Sequence, residues 1–202
     1  MIPLGLPHPI GAERVANRIR RPRLRNSFGL LAPEVHVAVP GCPATRILPF
    51  LERLWMPAYA ICLRTLSQKG SNAVWASVEA ISGAFSLLDC AEDLAPVACD
   101  ENCFPPVMEE ARAVELARKG YLQYTLQQRG QANKPVVETI EAVLLYHFAV
   151  WVYYCRRRGK IDISVFDGYT GKSAGAKMRI AVLDAFIAAR KKRLMDSGKY
   201  TP

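Results

Sequence analysis

Residues 136–159 read VVETIEAVLLYHFAVWVYYCRRRG, and the interpretation of this stretch decides the fold. Its apolar side chains recur every three or four positions, which is the spacing of one face of an α-helix. Asn133 and Pro135 precede the stretch as a helix start, and three arginines and Gly159 follow it as a helix stop. The stretch therefore predicts a long apolar helix, with His147 as a buried core residue.

Four other segments, on either side of this stretch, also predict helical structure. The first is residues 46–68, which predict two short helices or one helix that kinks at Pro49 and Pro57. The others are residues 71–94, capped by Ser71 and Asn72; a segment opened by Pro105 and Pro106 and ended by Gly130; and a last segment from Ser173 to Gly198. Residues 160–165 alternate weakly and could form a short strand.

Since other strand signals are few, we predict an all-α fold. It comprises an extended N-terminal arm at residues 1–45, a helical bundle core at residues 46–197 and a short C-terminal tail at residues 198–202. The apolar run within residues 142–155 is shorter than the roughly 20 residues of a spanning helix, so no membrane partner is expected.

Charge is distributed in blocks along the chain. The net charge is +9, and residues 156–202 hold twelve basic and four acidic side chains, whereas residues 86–115 hold one basic and eight acidic ones. Residues 1–30 hold six arginines and one acid. Basic ends favour a polyanionic partner, and opposite blocks allow one copy of the chain to bind another, although both could also be solvated faces.

The arginine-rich N-terminal segment has three interpretations: a nucleic-acid-binding arm, a mitochondrial presequence or a solvated tail. Prolines at positions 3, 7, 9 and 22 break any long amphipathic helix, which favours an extended arm. The arm cations assigned to binding are Arg18, Arg20, Arg21, Arg23 and Arg25.

No motif predicts an enzyme. Residues 168–173, GYTGKS, have two residues between the first glycine and the Gly-Lys pair, where a phosphate-binding P-loop needs four. Asp89, Glu92 and Asp93 lack the second acidic segment that a paired magnesium site would need. We therefore expect no catalytic residues, no cofactor and no metal.

Aromatic and basic side chains meet at the end of the long helix that is predicted from residues 136–159. Tyrosines and Trp151 precede the three arginines there, and such rings can stack on bases while guanidinium groups hold phosphates. We expect the arginines and the lysines that follow them to form one basic zone around the turn before the last helix.

Residues 164–177, SVFDGYTGKSAGAK, with the alanine-rich segment 180–189 after them, resemble the C-terminal core of coat proteins of flexuous filamentous plant RNA viruses. The resemblance implies a nucleocapsid protein that polymerises through its terminal arms around single-stranded RNA, in the virion and the host cytoplasm. It also implies that Asp167 belongs to an RNA-binding pocket with an arginine and a serine. Glu138 stands where the family has its arginine, and Arg129 or residues 156–158 would substitute.

The RNA-binding residues expected on these grounds are Arg129, Arg156, Arg157, Arg158, Lys160, Asp167, Tyr169, Lys172 and Lys177. Two alternatives stay open. Residues 168–186 also resemble the C-terminal part of phage antirepressor-like proteins, which implies a DNA-binding regulator. An organellar ribosomal or structural protein would instead use the arginine-rich N-terminus for import.

Overall fold

A computed structural model describes residues 3–21, 34–39, 41–68, 70–98, 102–128 and 134–196 of the chain. Its elements in chain order are β1 (Leu4–Gly5), α1 (Ala12–Arg20), β2 (His36–Val37), a 3-10 turn (Pro43–Thr45), β3 (Phe50–Ser67), β4 (Gly70–Glu79), β5 (Phe85–Leu87), a 3-10 turn (Ala91–Asp93), β6 (Ala95–Pro96), α2 (Glu110–Gln127), β7 (Val136–Arg157), β8 (Lys160–Asp167) and α3 (Gly175–Asp196).

The predicted all-α fold is wrong, because the structure mixes helices with mostly antiparallel strands. The stretch that predicts a long apolar helix is instead the 22-residue strand β7. Residues predicted as the first helix form β3, and those predicted as the second helix form β4 and β5. The helices expected after Pro106 and after Ser173 are confirmed as α2 and α3, and the weakly alternating segment is confirmed as β8.

The first compact unit consists of residues 1–7, 57–97 and 105–147. Its strands follow the order β5-β4-β3-β7-β1-β6, and β3 and β4 pair in an antiparallel ladder from Ala58↔Glu79 to Ser67↔Gly70. Its core buries Tyr59, Ile61, Leu63, Ala76 and Val78 of the ladder, together with Ala80, against Ala113, Ala117 and Tyr121 of α2. Because small alanines line the inner face of α2, the helix can lie close to the strands.

The second compact unit consists of residues 8–56, 98–104 and 148–202. In it β2 pairs in parallel with β3, and β7 and β8 form an antiparallel hairpin. Val15 and Ala16 of α1, Val35, Leu51, Trp151 and Tyr153 form one buried cluster. Strands β3 and β7 contribute residues to both units.

An entirely extended N-terminal arm is also wrong, since residues 12–20 form α1 between the prolines at positions 9 and 22. This nine-residue helix is short enough to fit between them, and its two buried residues pack into the core of the second unit. The Trp151 indole N–H donates to the carbonyl of Ile10 over 3.0 Å, which fixes the start of the helix.

Candidate functional site

The hairpin of β7 and β8 concentrates cations at its tip. Arg157 pairs with Lys160, so Arg158 and Gly159 form a two-residue turn, and both have positive φ (51° and 75°). Positive φ at both central residues is the signature of a type I′ turn, whose twist matches that of the strands. The hairpin tip, defined as residues 156–160, thus presents Arg156, Arg157, Arg158 and Lys160 to solvent.

One acidic residue neutralises part of this charge. Asp162 Oδ1 accepts a 2.7 Å hydrogen bond from Arg179 Nη2 of α3, and its Oδ2 lies 3.7 Å from Arg157 Nη1. Within the described residues, Arg156, Arg158 and Lys160 make no ion pair. The hairpin tip therefore retains a net positive charge, and sequence analysis missed Arg179 as its neighbour.

The Asp167 carboxylate accepts hydrogen bonds from the turn that it begins. Its Oδ1 accepts hydrogen bonds from the backbone N–H groups of Tyr169 (3.1 Å) and Thr170 (2.6 Å) and from the Thr170 hydroxyl (2.7 Å). This is the Asx-turn pattern, in which a side chain replaces a backbone acceptor. Among the residues that the structure describes, no guanidinium pairs with Asp167, so the expected Asp–Arg arrangement is not formed there.

Not all of the other predicted RNA-binding residues lie at the hairpin tip. β8 has eight residues, which at about 3.3 Å per residue separates Lys160 from Asp167 by roughly 23 Å. Lys172 is exposed in the turn after that far end of β8. The chain then returns alongside β8, where the Ala174 N–H donates to the Val165 carbonyl, and exposed Lys177 lies on α3 two residues before Arg179. The Tyr169 hydroxyl accepts the N–H of Ala149 over 3.1 Å, which ties this half-buried side chain to β7.

Of the predicted arm cations, Arg18 is half-buried on α1, Arg20 donates to the Val35 carbonyl over 3.3 Å, and Arg21 is exposed just after the helix. Arg23, Arg25 and Arg129 lie outside the described residues.

A second feature of the same unit was not predicted from the sequence. A cavity of about 570 Å³, here called the aromatic pocket, is lined by Arg46, Phe50, Glu52, Asn102, Phe104, Tyr154, Phe186, Ala189, Arg190 and Arg193. The rings of Phe50 and Tyr154 stack with centroids 4.4 Å apart, and those of Phe104 and Phe186 meet edge to face at 5.1 Å. The pocket therefore has aromatic walls.

A buried carboxylate lies in one wall of this pocket. Glu52 is 5% exposed, and its Oε1 accepts hydrogen bonds from Arg46 Nε (3.0 Å), Arg46 Nη2 (2.6 Å) and Asn102 Nδ2 (3.3 Å). Burial raises the pKa of Tyr154 well above its usual value, and the Glu52 carboxylate, which also hydrogen-bonds the phenol, raises it further. Tyr154 is therefore a neutral donor to Glu52 throughout the physiological pH range.

Within the described ranges, no cluster of three or more His, Cys, Asp or Glu side chains is arranged to hold a metal ion. No helix in those ranges is both long and apolar enough to span a bilayer. Comparison of the chain with family models, curated proteins and solved structures finds no match.

Proposed function

We propose that this protein binds single-stranded RNA without base specificity, and that it acts by binding rather than by catalysis. The observation that carries the proposal is the hairpin tip, where four exposed cations occupy five consecutive positions. Phosphate contacts of this kind supply sequence-independent affinity, because they neutralise the polymer backbone and release its counterions.

The backbone of the turn gives further support. Arg158 has φ +51°, a conformation that costs a non-glycine residue roughly 1–2 kcal/mol and that asparagine or glycine fills in most turns of this type. An arginine at this position gives up stability for an exposed positive charge. Such strain is typical of positions that serve a binding function.

Assembly into a coat stays a prediction. The predicted all-α fold, on which the coat-protein resemblance rests, is wrong, whereas the hairpin cations do not depend on that fold. We therefore propose RNA binding by itself, and keep self-association, the virion and the host cytoplasm as predictions. Electron microscopy of the protein with RNA would show filaments if the chain polymerises.

The salt dependence of RNA affinity tests the proposal. Fluorescence anisotropy with a labelled 20-nucleotide oligouridylate, repeated from 50 to 300 mM salt, gives the slope of log affinity against log salt. The variant Arg156→Ala/Arg158→Ala removes two cations that have no ion pair, so we expect its slope to be less steep by about 1.4, at about 0.7 per phosphate contact.

The matched control is Arg118→Ala/Lys119→Ala, which removes the same charge from an exposed position on α2. We expect this control to change affinity through net charge only, with a slope close to that of the wild type. Equal slopes for both variants would refute the hairpin as the RNA site. Tighter, sequence-selective binding to duplex DNA would instead favour the regulator alternative.

A further inference from the structure

The aromatic pocket carries an inference that does not depend on RNA binding. Its volume of about 570 Å³ is within the range of sites that bury small organic ligands. Phe50 and Phe104 are 8% and 7% exposed, so the floor of the pocket is built from well-packed side chains. Phe186 is 37% exposed and lies where the pocket meets solvent.

The polar groups in the pocket wall are directed at one another. Arg46 and Asn102 both donate to Glu52, the Tyr154 phenol hydrogen-bonds the same carboxylate, and Arg46 Nη2 also approaches Asn102 Oδ1 at 3.4 Å. A nucleobase bound here would bury donors and acceptors opposite groups that are already paired, which is costly. A hydrocarbon chain has no donors or acceptors, so it needs no hydrogen bonds from the pocket wall.

Two cations stand at the rim without a carboxylate partner in the described part of the chain. Arg190 and Arg193 are three residues apart on α3, so they share a face of the helix, and both line the pocket. The carbonyl end of α3 contributes about half a negative charge nearby, which two full guanidinium charges exceed. Guanidinium groups bind carboxylate and phosphate through paired, charge-assisted hydrogen bonds.

We propose that the aromatic pocket binds an alkyl chain that bears one anionic head group, with the chain between the aromatic rings and the head on Arg190 and Arg193. Charge complementarity decides the occupant. The Arg46–Glu52 pair is neutral in sum, and the two rim arginines, less the partial negative charge of the end of α3, leave a net positive charge for the ligand head. The head is a carboxylate or a phosphate, and the two are distinguished by experiment.

Isothermal titration calorimetry on the full chain tests this assignment. Octanoate and octyl phosphate are the probes, with acetate and inorganic phosphate as head-only controls and uridine 5′-monophosphate as the nucleotide control. We expect one saturable site per chain for at least one octyl ligand, and no saturable binding of acetate or inorganic phosphate. The tighter of the two octyl ligands identifies the head group.

Two pairs of substitutions on α3 separate a specific site from general charge. We expect Arg190→Ala/Arg193→Ala to weaken octyl-ligand affinity at least tenfold, and Lys191→Ala/Lys192→Ala, which removes equal charge from positions that do not line the pocket, to weaken it less than twofold. Ala189→Trp fills the cavity and should also cost at least tenfold. If that variant has an altered circular dichroism spectrum, Ala189→Met replaces it.

Three results would overturn the assignment: equal weakening by the two double variants, undiminished binding after Ala189 is enlarged, or tighter binding of the nucleotide than of either octyl ligand. The last result would indicate that the aromatic pocket binds a nucleotide and belongs to the proposed RNA site. Failure of RNA binding is read from the hairpin variants alone, so the two proposals fail independently.

Discussion

Arg46 donates from both Nε and Nη2 to a single oxygen of Glu52, over 3.0 and 2.6 Å. The two partners differ in burial, since the carboxylate side chain is 7% exposed and the guanidinium side chain is 40% exposed. A charge that is buried on one side of a pair depends on the other side for its solvation. Arg46 therefore stabilises the buried Glu52 carboxylate in the wall of the aromatic pocket.

Arg46→Ala should lower the free energy of unfolding by about 2 kcal/mol. Breaking a fully buried pair costs about 3–5 kcal/mol, and the solvent access of Arg46 reduces that figure. Urea unfolding checks the value. The control is Arg112→Ala, whose Glu115 partner is 66% exposed, and which should cost less than about 0.5 kcal/mol. Similar losses in both variants would contradict the structural role of Arg46.

Tyr154→Phe should make stability less sensitive to alkaline pH. The folded-state pKa of Tyr154 is raised, chiefly by burial, so the native protein holds this proton above pH 10 while the unfolded chain releases it. The stability linked to Tyr154 is fully present below pH 10 and is lost as the pH rises from there toward the folded pKa. In Tyr154→Phe, the free energy of unfolding should therefore fall less steeply above pH 10, by about 1.4 kcal/mol per pH unit.

Urea unfolding between pH 9 and pH 11.5 measures this slope. The fall does not vanish in the variant, because burial also raises the pKa of Tyr146, Tyr153 and Tyr59. The control is Tyr124→Phe, at an exposed position, which should leave the slope unchanged. An identical slope in the wild type and in Tyr154→Phe would mean that Tyr154 ionises normally in the folded chain.

Residues that typically start and end helices were enough to predict α2 and α3. Pro106 and the acidic residues after it precede the start of α2, and Ala181, Val182 and Ala185 are the buried residues of α3. Helix periodicity of that kind survives because one face of each helix is polar. Strand β8 was also visible, as alternation that ends in a turn.

β7 could not be recognised by the same reasoning. It runs for 22 residues, several times the usual length of a strand, and residues 149–153 are buried on both of its faces, so no alternation shows. Length then favours a helix. The signal that pointed the other way was composition: β-branched and aromatic residues dominate the stretch, and an Arg-Gly pair follows it as a turn.

The two candidate sites differ in how far they could be predicted. Arg156 to Lys160 are adjacent in the chain, so their cluster was evident from the sequence whatever the fold. The aromatic pocket joins Phe50, Asn102, Tyr154 and Phe186, which are distant in the sequence and meet only through strand pairing and the packing of α3. A helical map assigns these residues to separate elements and gives no reason to bring them together.

Arg158→Asn should stabilise the protein while weakening RNA binding. Asparagine adopts positive φ more readily than arginine, so we expect a gain of about 0.5–1 kcal/mol in the free energy of unfolding. The lost charge should make the salt slope of RNA affinity less steep by about 0.7. Calorimetric melting and anisotropy measure the two effects. A more stable variant with unchanged RNA affinity would remove the argument that the strained turn serves binding.

Asp167→Ala should destabilise the turn after β8 without changing the salt slope of RNA affinity. The carboxylate accepts three hydrogen bonds within residues 167–170, and their loss from a half-buried site is expected to cost about 1–2 kcal/mol. Asp167→Asn keeps an acceptor oxygen and should cost less. A slope that becomes less steep in both variants would support the RNA role that the coat-protein resemblance implied.

Gly168→Ala should be among the most destabilising single-methyl additions in the second unit. The Gly168 N–H donates to the Ala149 carbonyl over 3.0 Å, and a Cβ at position 168 would lie 2.2 Å from that same oxygen. The added Cβ is attached directly to the backbone and the Ala149 oxygen belongs to it, so no side-chain rotation can separate them. The turn would have to move away from β7, at a cost of about 3 kcal/mol.

The control is Gly11→Ser, which adds a Cβ that bears a hydroxyl at a glycine with open space around it. Position 11 precedes α1, has φ −66° and has open space around its missing Cβ, so the substitution should change stability by only a few tenths of a kcal/mol. Thermal unfolding of both variants gives the comparison. Because the Gly168 turn also places the Tyr169 hydroxyl on Ala149, loss of this approach should expose the Tyr169 ring, which tyrosine fluorescence quenching by acrylamide would detect. If Gly168→Ala unfolds at the wild-type temperature with an unchanged Tyr169 environment, the close approach of the turn to β7 is not what holds the end of the hairpin.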